Sequence, residues 1–302
     1  MKILWKICLK LFKSSVYWFK CFVGRLMNSE FGSEKKNIFD DRDYLDYLRT
    51  GDSCVEAFPR DYKSEIELFL LLDSEFITLM EHLNKRSDLL RTTQNSEETN
   101  LLFSEVIYKL SNVTWRQSRN AFYLFMRHQS YDGNLVFRRS LEASVFAFRI
   151  SRRAELARVY FNSEGRKTGD KAAWKKFESE FILAELPTDL PNRNEIKDYK
   201  DIVNDYHSHP GKSLISYSVD GSTQSQDFLC FDPEGDRFEM SLYAFLTYVR
   251  VCCIIWRKIL GKALPISMTA PGCNWDAISL KFEKYQASKR SLLGRHSNLF
   301  IR

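Results

Sequence analysis

A chain of 302 residues with 44% hydrophobic and 28% charged side chains has material for a sizeable core and allows one large domain or two ordinary ones. Its 12 glycines and 7 prolines are too few for a turn-rich all-β fold and favour long helices. The formal net charge of +6 is unevenly placed: residues 1–27 hold five lysines, one arginine and no acid, so the rest of the chain is electrically balanced.

As a helix, the stretch Met1–Met27 brings Lys2, Lys6, Lys10, Lys13 and Lys20 within an arc of about 80°. Apolar side chains that include Trp5, Phe12, Trp18 and Phe22 cover the remainder. Charges recur nearly every turn, so no run of about eighteen uncharged residues exists and an ordinary transmembrane span is disfavoured. A secretory signal would instead gather its charges before an apolar core. The pattern predicts a basic amphipathic helix lying in the membrane interface. Its lysines face anionic headgroups, and Trp5 and Trp18 sit at interfacial depth. The competing use of such a helix is docking on its own globule or on a protein partner.

Residues 28–60 are polar and mixed in charge and predict a linker and lead-in, with a short helical turn around Tyr44–Leu48 and Pro59 as punctuation. Residues 61–262 predict a helical bundle. Apolar periodicity gives a helix from Lys63 to about Lys85. A second starts at Ser96 as N-cap, with its body running from Asn100 through Leu110, and a third covers Trp115–Arg127. The Tyr131-Asp132-Gly133-Asn134 tetrapeptide is a turn signal ahead of a fourth helix, Leu135 to about Tyr160. Further helices are expected over Lys171–Leu186 and Glu195–His207. Alternation in Ser213–Val219, the Asp220-Gly221 pair and Gln226–Phe231 predict a small β-hairpin at about 213–231. Arg237–Leu260 holds the most apolar run and is long enough to cross a bilayer. Arg250 at its middle instead marks it as a buried central helix. Residues 263–302 are a tail with a basic helix around Trp275–Leu293. The expected fold class is mainly α: a helical bundle with one hairpin insertion behind the basic N-terminal helix.

Seven cysteines, an odd number with no Cys-x-x-Cys pair, predict neither a disulfide framework nor a zinc site; they read as reduced thiols of a cytosolic protein. No phosphate-binding loop, nucleophile elbow or His-Glu-x-x-His motif occurs, and neither a cofactor nor a metal is expected. Candidate chemistry concentrates on the fourth helix, where Arg138, Glu142, Arg149 and Arg153 fall within about 60° of one another. Arg138 and Glu142 form an i,i+4 pair. One reading is a solvated charged face. The other is a polar site in which Arg138, Arg139, Arg149 and Arg153 bind an anion beside Glu142. The second candidate is the Tyr206-His207-Ser208-His209-Pro210 element, where either histidine serves as helix-stop residue or as acid/base partner of Glu142. Arg149, Arg152, Arg153 and Arg158 are cations a nucleic acid would need, but no basic-aromatic module accompanies them.

The Arg138-Arg139-Ser140-Leu141-Glu142 helix, the later Tyr206-His207-Ser208-His209-Pro210 element and the apolar closing helix resemble a bacterial family of helical-bundle proteins of uncharacterised activity. That family carries an Arg-x-x-x-Glu helix and a Tyr-x-x-His-Pro element. The similar region is about 100–260 and excludes the N-terminal segment. The resemblance implies no particular activity; it implies that Arg138 or Arg139, Glu142 and His209 meet in the bundle, and a bacterial stress or phage-defence context. Three functional expectations follow. The first is a membrane-surface-associated protein, cytoplasmic and peripheral at the inner membrane. The second is a phosphate-directed hydrolase or nuclease using Glu142 with His207 or His209. The third is an effector that perturbs membranes through residues 1–27.

Overall fold

In a computed structural model of the chain, the described residues are 41–92, 98–163, 171–181, 185–199, 219–220, 227–228, 235–263 and 275–295. The N-terminal segment 1–27, with Lys2, Trp5, Lys6, Lys10, Lys13, Trp18 and Lys20, lies outside them, as do His207 and His209. The chain divides into two compact units, Met1–Tyr47 and Leu48–Arg302, and the boundary falls within the first described helix.

The fold is mainly helical. The helices are α1 (Asp41–Asp61), α2 (Lys63–Thr92), α3 (Glu98–Met126), α4 (Ser130–Arg152), α5 (Leu156–Ser163), α6 (Lys171–Glu180), α7 (Asp236–Ala263), α8 (Trp275–Ser288) and α9 (Arg290–Arg295). A further helical stretch covers 193–199. Of the hairpin expected at 213–231, the described residues hold a two-residue antiparallel ladder, Val219 opposite Phe228 and Asp220 opposite Asp227. These two rungs alone do not make the hairpin, and its remaining positions lie outside the described residues.

Helix α3 and helix α4 make the most extensive contact. Small buried side chains bring them close: Ser111, Thr114, Ser118 and Ala121 face Gly133, Ser140, Ser144 and Ala147. Each hydroxyl in this seam has a partner, as burial requires. Ser140 Oγ donates to the Thr114 carbonyl at 2.7 Å, and Ser118 and Ser140 share a hydrogen bond of 3.0 Å. Trp256 of α7 donates its indole N–H to Ser144 Oγ at 3.1 Å, tying the third helix to the seam. Helix α7 is the centre of the bundle. Phe245, Leu246, Cys252, Cys253, Ile255 and Trp256 are fully buried, and Phe245 joins a ring stack with Phe122 and Phe69. The segment Phe238–Gly261 is apolar and long enough to cross a bilayer, yet its core-facing positions are filled by α2, α3 and α4. Arg250 lies over the Phe282 ring at 4.8 Å, where α8 covers α7.

Several expected boundaries move. The predicted linker is helical from Asp41, and Pro59 lies inside α1, in its last turn. The proline removes a backbone hydrogen bond to the preceding turn, and the helix ends two residues later; the neighbouring Phe58 is fully buried. The expected break near residue 112 is absent: α3 is continuous, and Thr114 Oγ1 bonds back to the Leu110 carbonyl at 3.0 Å. The Tyr131–Asn134 turn signal lies inside α4. Gly133 is required there by packing, because a Cβ would stand 2.9 Å from the Phe125 ring. The reversal falls earlier, at His128, whose φ of 55° is left-handed and whose ring stacks on Phe238 at 4.3 Å. The helix expected to reach Tyr160 ends at Arg152, because Arg153 is extended, and α5 restarts at Leu156.

Candidate functional site on helix α4

Five of the seven residues expected to form a site, Arg138, Arg139, Glu142, Arg149 and Arg153, project from α4 or its C-cap. Arg138 Nε donates to Glu142 Oε1 at 2.8 Å, and the two side chains remain 31% and 29% exposed. The pair therefore sits at the rim of the bundle. Leu141, Val145, Leu186, Ile196 and Tyr199 complete a recess of about 20 Å³ beside it, room for a single water. Tyr199 is the buried wall. Its hydroxyl donates to Asn134 Oδ1 at 3.2 Å, and Asn134 Nδ2 donates to Ser241 Oγ at 3.0 Å. Burial, with the tilted Tyr248 ring 4.3 Å away, pushes the Tyr199 phenol well above its usual range, so it serves as a neutral donor. Arg139 points to solvent. The described residues thus offer one partly open carboxylate beside one guanidinium, with no substrate-sized cavity at Glu142 and no grouping of His, Cys, Asp or Glu able to hold a metal.

At the other end of α4 the arginines are engaged with the chain itself. Arg149 donates to the Glu180 carbonyl at 2.6 Å and to the Glu185 carbonyl. Burial pulls its guanidinium pKa down, and the Glu185 and Glu180 carboxylates act in the opposite sense. Arg153 donates to Glu155 Oε1 at 3.0 Å and Glu180 Oε2 at 3.1 Å; these bonds hold its pKa above the usual value. Arg152 pairs with Asp189 and lies over the Phe148 ring at 4.8 Å. Together the three fasten Glu180, Glu185 and Asp189 to α4. Arg149 and Arg153, the residues expected as ligand-binding, make these contacts within the chain.

A larger recess, about 300 Å³, opens between α5 and α6. It is lined by Arg153, Glu155, Leu156, Arg158, Val159, Asn162, Ala173, Lys176 and Glu180. Sequence reasoning singled out Arg153 and Arg158 but not the recess, because neither short helix carries a distinctive motif. It also missed an ion group in which Lys289 reaches the buried Glu65 Oε1 at 3.1 Å and the half-buried Glu239 Oε2 at 2.9 Å. No protein-family model matches the chain, and neither a curated protein nor a solved structure does. The resemblance drawn from Arg138, Glu142 and His209 rests on those short motifs alone.

Proposed function

We propose that this protein is a peripheral membrane protein. Residues 1–27 adhere to an anionic bilayer surface, such as the cytoplasmic face of a cell membrane, and the helical bundle is the body held there. The observation that carries this reading is the charge distribution: six cations and no acid in the first 27 residues, on a chain otherwise balanced. The aromatic content of the segment supports it, since Trp5 and Trp18 favour the headgroup layer. The bundle gives indirect support. Among the described residues, the one helix apolar enough to cross a bilayer is packed inside the bundle core.

The test is co-sedimentation of the full chain with vesicles. Wild type is expected to sediment with phosphatidylglycerol-containing vesicles and not with pure phosphatidylcholine, and salt should weaken the binding. Each lysine near the surface contributes about 1 kcal/mol. Replacing Lys2, Lys6, Lys10, Lys13 and Lys20 by Gln should therefore weaken binding by about a hundredfold or more. Equal sedimentation of the two proteins, or indifference to lipid charge, would overturn the reading.

A further inference from the structure

Helix α6 lies on the outside of the bundle, and none of its ten residues is buried. Phe177 holds it there, edge-on to Phe146 of α4 at 5.8 Å and to Tyr160 of α5 at 6.0 Å. Lys171, Lys175 and Lys176 turn about 100° or more away from that ring and span an arc of about 140°. All three are exposed, and among the described residues none of them has an ion pair or a hydrogen bond. Residues 171–177 hold no acid. Of the two glutamates that follow, Glu180 is bound to Arg153, so Glu178 alone offsets the three lysines on this helix. The side chains beside the lysines are aromatic. Trp174 is half-buried, its ring 5.2 Å from Phe177. Phe161 of α5 is 40% exposed and stands one residue from Asn162, which shares a recess rim with Lys176. An indole and a phenyl ring beside uncompensated ammonium groups are the composition that settles at the headgroup layer of an anionic bilayer. The order Lys-x-x-Trp-Lys of residues 171–175 is also that of residues 2–6. A nucleic-acid strand fits less well. The uncommitted cations are lysines rather than arginines with a planar fork, and Trp174 is packed on Phe177 rather than presented to a base.

We propose that the lysine face of α6 is a second contact with an anionic bilayer surface, made through Lys171, Lys175 and Lys176 with Trp174 and Phe161 at its edge. This rests on the membrane-surface reading above and deepens it: residues 1–27 attach the chain, and α6 sets which side of the bundle meets the lipid.

The test uses the full chain and phosphatidylglycerol-containing vesicles. The triple variant Lys171→Gln/Lys175→Gln/Lys176→Gln should bind them about tenfold or more weakly than wild type, with an unchanged circular-dichroism spectrum and Tm. The triple variant with Arg at the same three positions keeps the charge and should bind like wild type. Hydrogen exchange locates the contact without any substitution: amides of residues 171–180 in wild type should exchange more slowly with phosphatidylglycerol vesicles than with pure phosphatidylcholine. Unchanged exchange there overturns the proposal. A Gln triple variant that binds like wild type, while the five-lysine variant of residues 1–27 loses binding, also overturns the α6 contact and leaves the membrane reading standing. Conversely, a five-lysine variant that binds like wild type overturns the reading of residues 1–27, and a weakened Gln triple variant in the same assay upholds the contact through α6. A single-stranded oligonucleotide is the control ligand. Loss of its binding in the Gln triple variant, with vesicle binding unchanged, gives the lysine face to nucleic acid and overturns the proposal. A wild type that ignores all anionic vesicles overturns both readings.

Discussion

Glu142 and Glu65 are both glutamates bound to a cation, and the fold treats them in opposite ways. Glu142 is held by Arg138 from the preceding turn of the same helix, and both side chains are nearly a third exposed. Glu65 stands at the start of α2 with 3% of its surface exposed; its partner Lys289 comes from the α8–α9 junction and also binds Glu239 of α7. Ser64 Oγ completes the shell of Glu65 at 2.6 Å. A half-open pair in one helix gains little, because water competes for both partners. Glu239 is itself about a third open, but Glu65 has given up its hydration, so removing Lys289 leaves the Glu65 charge with nothing to replace the lost water. The pair that draws the eye in sequence is thus the one the fold depends on least.

The largest effect expected from this contrast is that of Lys289→Met. It leaves Glu65 buried without its cation and should cost about 3–5 kcal/mol in urea unfolding. Adding Glu65→Gln to the same protein should recover much of that loss, because the uncompensated charge is gone. A cost below about 1 kcal/mol for Lys289→Met would show that the group behaves like a surface pair and would break the comparison.

A pH series sharpens the same point. Burial works against the Lys289 ammonium, but the hydrogen bond to Glu239 and the charge of Glu65 outweigh it and hold its pKa above the usual lysine value. Burial, with Glu65 beside it, also pushes up the Tyr285 phenol. For a raised lysine the stabilisation is complete below the unfolded value, about 10.4, and is lost as pH rises through the folded one. Tyr285 acts in the same direction, since the unfolded phenol ionises above about 10 while the folded one resists. Cys252, whose thiol burial pushes up to about 12, adds to the alkaline decline in wild type and variant alike. Above pH about 10.4 wild type should therefore lose up to about 1 kcal/mol per pH unit more than Lys289→Met does. Parallel declines would remove Lys289 from the account.

What was legible in sequence follows from the range of the forces involved. The i,i+4 spacing of Arg138 and Glu142 is local geometry, and the 2.8 Å contact follows from it. The central place of the Arg237–Leu260 run was legible because its apolar length leaves no other soluble solution. The junction of Glu65, Glu239 and Lys289 was not, because nothing in their own neighbourhoods marks three residues so far apart as partners. Gly133 misled because a turn and a close helix contact both call for a missing Cβ; its neighbour Phe125 decides which, and only packing reveals it. The end of α4 was missed for a related reason. Arg153 leaves the helix to bind Glu155 and Glu180, and the second of these belongs to α6. The candidate site was legible only at its Arg138–Glu142 end; the α5–α6 recess is made by two short helices that meet through tertiary contact.

The smallest effect is expected at Glu142, and it tests most directly whether chemistry resides on α4. Glu142→Gln keeps the shape of the side chain and removes its charge, so it weakens a single half-exposed ion pair. Its cost in unfolding free energy should be about 0.5 kcal/mol or less. Such a variant is folded and equal to wild type in all but one carboxylate, which makes cellular activity interpretable. If wild-type behaviour persists, Glu142 is a solvated partner of Arg138 and the recess of about 20 Å³ beside it is packing space. If activity is lost at unchanged stability, the rim pair is a reactive carboxylate set on a helix the fold holds rigid. The ordering of the two glutamates by importance would then reverse: Glu65 would matter to stability and Glu142 to chemistry.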